Sequence, residues 1–206
     1  MDMQHCQEKP TVLLIGQGEI PVQCADALIK LGFDIAGLHS PDEPLRDWAK
    51  RRNHPNFFSD FRDFERSALS SAYDYLFSVV NFIILKPELL RSPRCLAINY
   101  HDGPLPRYAG SNAIAWALYN GETTHGVTWH VMEESVDAGD ILKQVNFAIK
   151  PGDTHHSVQL KCYLAAMRAF RELLLELKDG TYTRTREDLS KRTFYRRSQV
   201  QPQSTP

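Results

Sequence analysis

The sequence predicts an α/β fold, a mostly parallel sheet with helices on both faces. Three observations carry that prediction. Short apolar runs recur along the chain at Thr11–Ile15, Asp34–Leu38, Tyr75–Val80 and Cys95–Tyr100, the pattern of strands buried on both faces. Stretches of helical spacing separate them. A chain of 206 residues with 42% apolar content is long enough for one core without staples. Ligands of such folds lie at the carboxyl ends of the strands, so the residues following each run are the candidates for chemistry.

Thr11–Ile15 is the first strand and ends at Gly16-Gln17-Gly18. Pro21 suits a first helical turn. Val22, Ala25, Leu28 and Ile29 keep helical spacing, and Gly32 stops the run. Asp34–Leu38 closes a β-α-β unit, and Pro41 and Pro44 lead through a loop into a helix at Leu45–Arg52. The next stretch holds a short strand at Phe57-Phe58 and a helix from Asp60. Tyr75–Val80 is a strand, Pro87 opens a helical turn over Lys86–Leu90, and Cys95–Tyr100 is a strand. Asn112–Asn120 reads as a helix, and Val127–Met132 and Ile141–Ile149 as strands. The last helix is the clearest: Leu160, Tyr163, Leu164, Met167, Phe170, Leu174 and Leu177 fall at steps of three or four. Asp153 or Thr154 can cap its start and Gly180 ends it. Residues 1–10 are polar. Residues 181–206 turn basic and then Gln/Ser/Pro-rich, an extension that ends as a linker.

Charge excludes little by itself but favours no polyanion. The 24 Lys+Arg and 25 Asp+Glu leave a net charge of −1, which gives no reason to expect nucleic acid as a partner. Local basic clusters at Lys50-Arg51-Arg52 and Arg192–Arg197 read as solvated faces. Cys6, Cys24, Cys95 and Cys162 contain no C-x-x-C pair, which argues against a disulfide framework or zinc ribbon and for reduced thiols in a cytoplasmic enzyme. The first ten residues lack the apolar core of a signal peptide. The longest greasy run, Tyr75–Leu85, is broken by Ser78 and Asn81 and is too short to span a membrane.

Two segments are candidates for chemistry. Gly16-Gln17-Gly18 follows a strand as a dinucleotide loop does, but Pro21 stands where the third glycine belongs. No acid directly follows the second strand, and Asp42 lies beyond Pro41; the two glycines read as a tight strand-to-helix turn. No G-x-x-x-x-G-K-[ST] phosphate loop occurs. The second segment is I-N-Y-H-D-G-P-L-P-R-Y-A-G at 98–110. Asn99 and His101 alternate with Tyr100 and so point to one side of the strand, and Gly103, Pro104 and Pro106 impose a turn directly after them. Glu134–Leu142 then supplies acids and a glycine between two strands. A histidine beside an amide, with an acid from another loop, suits acyl transfer. The imidazole moves a proton, the amide and imidazolium stabilise an oxyanion, and the carboxylate orients or charges the ring. By spacing alone, an N-x-H pair on a strand serves packing or hydrogen bonding more often than chemistry.

The strings N-Y-H-D-G-P-L-P-R-Y-A-G, W-A-L-Y-N-G-E, H-G-V-T-W-H-V-M and V-D-A-G-D-I-L resemble, in order and spacing, the formyltransferase family that uses 10-formyltetrahydrofolate. The resemblance implies a Rossmann-like three-layer sandwich with a formyltransferase catalytic domain over residues 11–180. It implies a catalytic set of Asn99, His101 and Asp137, acting as a free amine attacks the formyl carbon. It places the pterin between the loops 80–85 and 135–140, with Asn81, Phe82, Ile83, Leu85, Ser135, Val136 and Asp140 as cofactor-binding residues. Asn81 serves equally as a strand-end cap. Arg107 and Tyr108 lie at the cleft edge, where they touch the acceptor or are simply exposed; Asp102, beside the site, binds the acceptor's ammonium, perturbs His101 or caps the turn. No metal is implied: His125, His130, His155 and His156 lack ligand spacing and read as structural or surface residues.

Many relatives have Pro-Ser or Gly-Ser after the histidine; here Asp102-Gly103 stands there, which leaves the acceptor open. Glu19-Ile20-Pro21 does not resemble the phosphate loop of the purine-pathway enzyme. Residues 181–206 leave no room for the second domain of the methionyl-tRNA enzyme. The texture is closest to formylating domains of nonribosomal peptide synthetases, which implies an aminoacyl group on a carrier protein as the acceptor. The alternatives are a nucleotide-linked amino sugar, with a hairpin in Thr183–Arg197 as a remnant of larger C-terminal elements, a 10-formyltetrahydrofolate hydrolase, and a non-catalytic folate-binding or carrier-docking module. Oligomeric state stays open, because a partner-facing apolar stripe reads the same as core.

Overall fold

The computed structural model describes residues 9–199, so Cys6, most of the polar segment 1–10 and the Gln201–Pro206 tail lie outside the described residues. The chain divides into two compact units, residues 9–99 with 171–182, and residues 100–170 with 183–199.

The first unit follows the expected alternation: β1 (Thr11–Gly16), α1 (Glu19–Lys30), β2 (Asp34–His39), α2 (Glu43–Arg51), β3 (Phe57–Phe58), α3 (Phe61–Ser70), β4 (Tyr75–Val79), α4 (Pro87–Leu90) and β5 (Leu96–His101). The strands lie in the order β3-β2-β1-β4-β5. β1 runs parallel to β2 and β4, and β2 to β3. Val12, Leu14 and Ile15 are wholly buried with Leu28, Leu38 and Leu76, which is why β1 shows no polar alternation. Asp60 caps α3 by accepting from the Arg62 and Asp63 N–H groups.

The first glycine pair has a packing role. A Cβ on Gly16 would lie 1.9 Å from the Val79 carbonyl oxygen, so only glycine lets β1 turn this close to β4. Gly18, at φ 77°, donates its N–H to Asp42 Oδ2 at 2.7 Å. Ser40 Oγ donates to the other Asp42 oxygen at 2.6 Å. The N-terminus of α1, where a dinucleotide fold holds phosphate, is therefore already occupied by a carboxylate of this chain.

The second unit begins at the end of β5 and contains β6 (Ala109–Gly110), α5 (Ala113–Tyr119), β7 (Thr124–Val131), β8 (Ile141–Ala148), α6 (His155–Asp179, to residue 170) and β9 (Phe194–Tyr195). Its sheet order is β5-β7-β8, with β7 antiparallel to β8. The sheet is thus mostly parallel, as the sequence predicts; the antiparallel β7–β8 edge is an addition to that reading. Trp129 on β7 is wholly buried, stacked on Phe170 at 4.6 Å and tilted against Tyr100 at 5.3 Å.

Helix α6 is capped reciprocally. Thr154 Oγ1 accepts from the Ser157 N–H at 3.3 Å and Ser157 Oγ from the Thr154 N–H at 2.9 Å. Its buried stripe differs from the one read in the sequence. Leu160 and Leu164 are 54% and 60% exposed, while Val158, Cys162, Ala166, Met167, Ala169 and Leu173 are buried. Met167, Phe170, Leu174 and Leu177 are buried as the spacing predicts, Cys162, Ala166 and Ala169 complete the inner face, and Leu160 and Leu164 lie outside it.

The C-terminal segment also differs from expectation. No Thr183–Arg197 hairpin forms. Thr185 bridges Ile141 antiparallel, residues 189–191 make a 3₁₀ turn, and β9 pairs in parallel with β6. Among the described residues no helix is long and apolar enough to cross a membrane, and Cys24, Cys95 and Cys162 form no disulfide.

Candidate active site

Strand β5 carries Asn99 in the first unit and His101 two residues later in the second. Asn99 Oδ1 accepts from Ser78 Oγ at 2.8 Å. Ser78 is almost wholly buried in an otherwise apolar strand. Asn81 folds its own turn after β4: Nδ2 donates to the Ile83 carbonyl and Oδ1 accepts from the Ile83 N–H, both at 3.0 Å. That is the strand-end-cap reading of Asn81. Beside it Phe82 and Ile84 are 60% and 75% exposed, Ile83 is half-buried and Leu85 is buried. This loop thus presents apolar side chains that a flat heteroaromatic ring could cover.

The second unit brings His101 and Asp137 together. His101 is buried, with Nε2 2.8 Å from the Tyr108 carbonyl and Nδ1 3.5 Å from Asp137 Oδ2. Both ring nitrogens face acceptors, an arrangement that a doubly protonated ring satisfies on both sides. Asp137 sits at φ 50°, a left-handed conformation that a short polar side chain tolerates. Its Oδ2 accepts from the Gly110 N–H at 2.8 Å, and its Oδ1 lies 3.4 Å from His130 Nε2. Burial alone would raise this carboxyl's proton affinity, but the His101 charge, His130 and the Gly110 N–H more than reverse it. Asp137 is therefore held ionised far below the usual carboxylate range. His130, read from the sequence as structural or surface, is buried against the same carboxylate. The signal for it was the alternation on β7: Thr128 and His130 share a strand face, and both are buried and polar. Thr128 Oγ1 donates to the Gly103 carbonyl at 2.7 Å and accepts from the Leu105 N–H at 3.2 Å, fixing the turn that follows His101.

The Asp137 loop is held closely. A Cβ on Gly139 would lie 2.1 Å from the Val131 carbonyl oxygen. Arg192, expected on a solvated face, instead donates Nη1 to the Asp137 carbonyl at 3.0 Å and Nη2 to the Val136 carbonyl at 2.5 Å. Thr193 Oγ1 accepts from the Tyr108 N–H at 2.7 Å. Between these contacts and the Thr185–Ile141 bridge lies Glu187. It is 7% exposed, and neither carboxylate oxygen has a hydrogen-bond partner. Burial pushes its carboxyl up to about 7, with Arg192 opposing and Asp137 adding to the rise. No sequence period marks residues 183–199, which is why Glu187 and Arg192 escape a sequence reading.

The remaining expected residues are spread differently. Tyr108 is 2% exposed rather than at a cleft edge: its hydroxyl donates to Glu122 Oε1 at 2.6 Å, and burial together with that bond raises it to about 12. Arg107 is exposed and paired with Glu122. Asp102 is half-buried, and its carbonyl faces His125 Nε2 at 2.9 Å. Ser135 and Val136 are exposed, and the Asp140 carbonyl accepts from the Val131 N–H at 2.9 Å. Among the described residues no three His, Cys, Asp or Glu side chains come together as a metal site.

The family model described as formyl transferase matches residues 41–174, more than half of the chain. An N-formyltransferase from Helicobacter canadensis, in complex with folinic acid and dTDP-3-aminofucose, superposes with a TM-score of 0.78 at 20% identity, over 92% of this chain and 71% of that one. A 4-N formyltransferase from Francisella tularensis gives 0.78 at 19%, over 93% and 78%. A glycinamide ribonucleotide transformylase from Symbiobacterium toebii gives 0.73 at 16%, over 87% and 92%.

Proposed function

The chain belongs to the formyl transferase family, and from that premise we propose that it moves a formyl group from 10-formyltetrahydrofolate to a primary amine. The observation that carries this reading is the buried His101–Asp137 pair, whose histidine lies on the strand that also bears Asn99. The folate, when bound, supplies the formyl carbon. Phe82 and Ile84 are exposed on the loop after β4, and Val136 on the Asp137 loop; the family resemblance assigns both loops to the folate, with Asn81, Ser135 and Asp140 as their polar members. Asn99 donates its amide N–H to the formyl oxygen as that oxygen turns negative. His101 Nε2 is committed to the Tyr108 carbonyl. Nδ1, at 3.5 Å from Asp137, is beyond ordinary N–H···O length and is the proton left to share with the oxyanion. Asp137, kept ionised, stabilises the imidazolium.

For the acceptor, the solved structures support the amino group of a nucleotide-linked sugar, since the Helicobacter canadensis enzyme holds dTDP-3-aminofucose. Asp42 at the start of α1 disfavours a phosphorylated acceptor bound there. The motif strings support a second reading, an aminoacyl group on a peptide-synthetase carrier protein. Mass spectrometry of dTDP-3-aminofucose, an aminoacyl-carrier protein and glycinamide ribonucleotide, each incubated with the protein and 10-formyltetrahydrofolate, separates these. A formyl adduct on either of the first two is expected. Formate release without any adduct identifies a hydrolase instead, and no turnover at all leaves a folate-binding module.

A further inference from the structure

Glu187 is a buried carboxyl without a hydrogen-bond partner in the protein, and the formyl-transfer chemistry described so far does not use it. A buried carboxylate without a donor is costly to keep, and both of its oxygens lack one. Its position is imposed from both sides. Two residues before it, Thr185 exchanges backbone hydrogen bonds with Ile141, the residue after Asp140. Five residues after it, Arg192 grips the carbonyls of Val136 and Asp137. The segment between those anchors is therefore drawn along the Asp137–Ile141 loop. The charged groups that act on Glu187 are Arg192, Asp137, His101 and Asp140, so it shares the electrostatic environment of the candidate site. We propose that Glu187 is a catalytic residue of this site: it holds the ammonium form of the acceptor and takes its proton before the amine attacks.

This inference rests on the formyl-transfer reading and adds the step that reading lacks. A primary amine reaches the enzyme mostly as R–NH₃⁺, which has no lone pair for attack. One N–H bond breaks, its electrons stay on nitrogen as the lone pair, and the proton goes to a Glu187 oxygen. A second amine proton then passes to the folate nitrogen as the C–N bond to the donor breaks. Glu187 finally returns its proton to water. Asp137 is ill suited to the first step, because Gly110 and two histidines hold it ionised. Glu187, raised towards neutrality by burial, takes up and releases a proton near working pH.

The test is Glu187→Gln, which keeps shape and removes the base. With 10-formyltetrahydrofolate as donor and dTDP-3-aminofucose and an aminoacyl-carrier protein as acceptors, kcat/KM for the amine is expected to fall about a hundredfold at pH 7. The deficit should narrow as pH rises and the amine deprotonates unaided, while folinic acid binding stays unchanged. Wild-type rates in the variant, or a deficit equal at every pH, overturn the proposal alone. A wild-type protein that formylates neither acceptor overturns the formyl-transfer reading and this proposal with it. Infrared titration of the unliganded protein needs no acceptor. A protonated-carboxyl band that titrates near neutrality and vanishes in Glu187→Gln supports the proposal, and its absence from the wild type overturns it.

Discussion

Asp137→Asn is the sharpest probe of the site, because it removes charge and little else. Asparagine is among the few non-glycine residues at home at φ 50°. Its amide oxygen can still accept from the Gly110 N–H. What disappears is a negative charge 3.5 Å from His101 Nδ1. At an effective dielectric of about 20, that charge attracts an imidazolium by about 5 kcal/mol. Expressed wholly in the barrier, this is between about three and four powers of ten in rate. His130, 3.4 Å from the other oxygen, shares the carboxylate and takes part of the loss. The expected outcome is a fall of about a thousandfold in kcat, with KM for the folate little changed. The assay is the time course of formylated dTDP-3-aminofucose or aminoacyl-carrier protein by mass spectrometry, with circular dichroism to confirm the fold. A folded variant with kcat within about tenfold of wild type would refute the assignment of Asp137 to stabilising charge on His101.

The same pair predicts a pH signature in stability. Asp137's proton affinity is depressed in the folded state. Its contribution is therefore complete above the ordinary value of about 3.9 and is lost as pH falls from there towards the folded value. In urea unfolding, the stability gap between wild type and Asp137→Asn should narrow below about pH 4; a gap that widens there contradicts the sign. Arg192→Lys replaces a fork that reaches two carbonyls with a single ammonium, and kcat should drop about tenfold with an unchanged CD spectrum. Gly139→Ala forces a methyl group to within 2.1 Å of the Val131 oxygen, which should cost about 1–3 kcal/mol in thermal unfolding and abolish most activity with it. Asp42→Ala strips the Gly18 N–H of its acceptor; Tm should fall by about 2–4 °C for about 1 kcal/mol lost, and kcat should hold.

The two-sided strands were legible in the sequence because burial on both faces leaves a plain apolar run, as in β1 and β4. Asn99 and His101 were legible as a polar pair for a related reason: period-two alternation survives at the end of such a run. Their link to Asp137 was not, since 35 residues separate it from His101 and it sits in a left-handed conformation that no periodicity marks; only the family resemblance supplied it. The stripe of α6 departs from its apolar spacing at Leu160 and Leu164, which are exposed. Its inner face uses Ala166, Ala169 and Cys162, which a search for large apolar side chains passes over. Glu187 and Arg192 were invisible because backbone carbonyls and a two-residue strand position their segment, and neither leaves a pattern in side-chain chemistry.

That last group changes how the two carboxyls of the site divide the work. Formyl transfer to an amine needs a permanent negative charge beside the histidine and, separately, a place for a proton to go. One carboxyl cannot serve both ends, because the donors that keep it charged also keep protons off it. Asp137 has the Gly110 N–H and the His130 ring, and the charge of His101 beside it. Glu187 has none, and Arg192, whose charge acts on it, donates instead to the carbonyls of Val136 and Asp137. The arginine that fixes the Asp137 loop makes no hydrogen bond to Glu187 and only partly offsets its burial, while the negative charge of Asp137 itself raises the proton affinity of Glu187. The separation of the two proton affinities is therefore a consequence of the C-terminal segment folding along the Asp137 loop. A chain that ended after α6 would keep the residues of its motif strings and lose the second carboxyl.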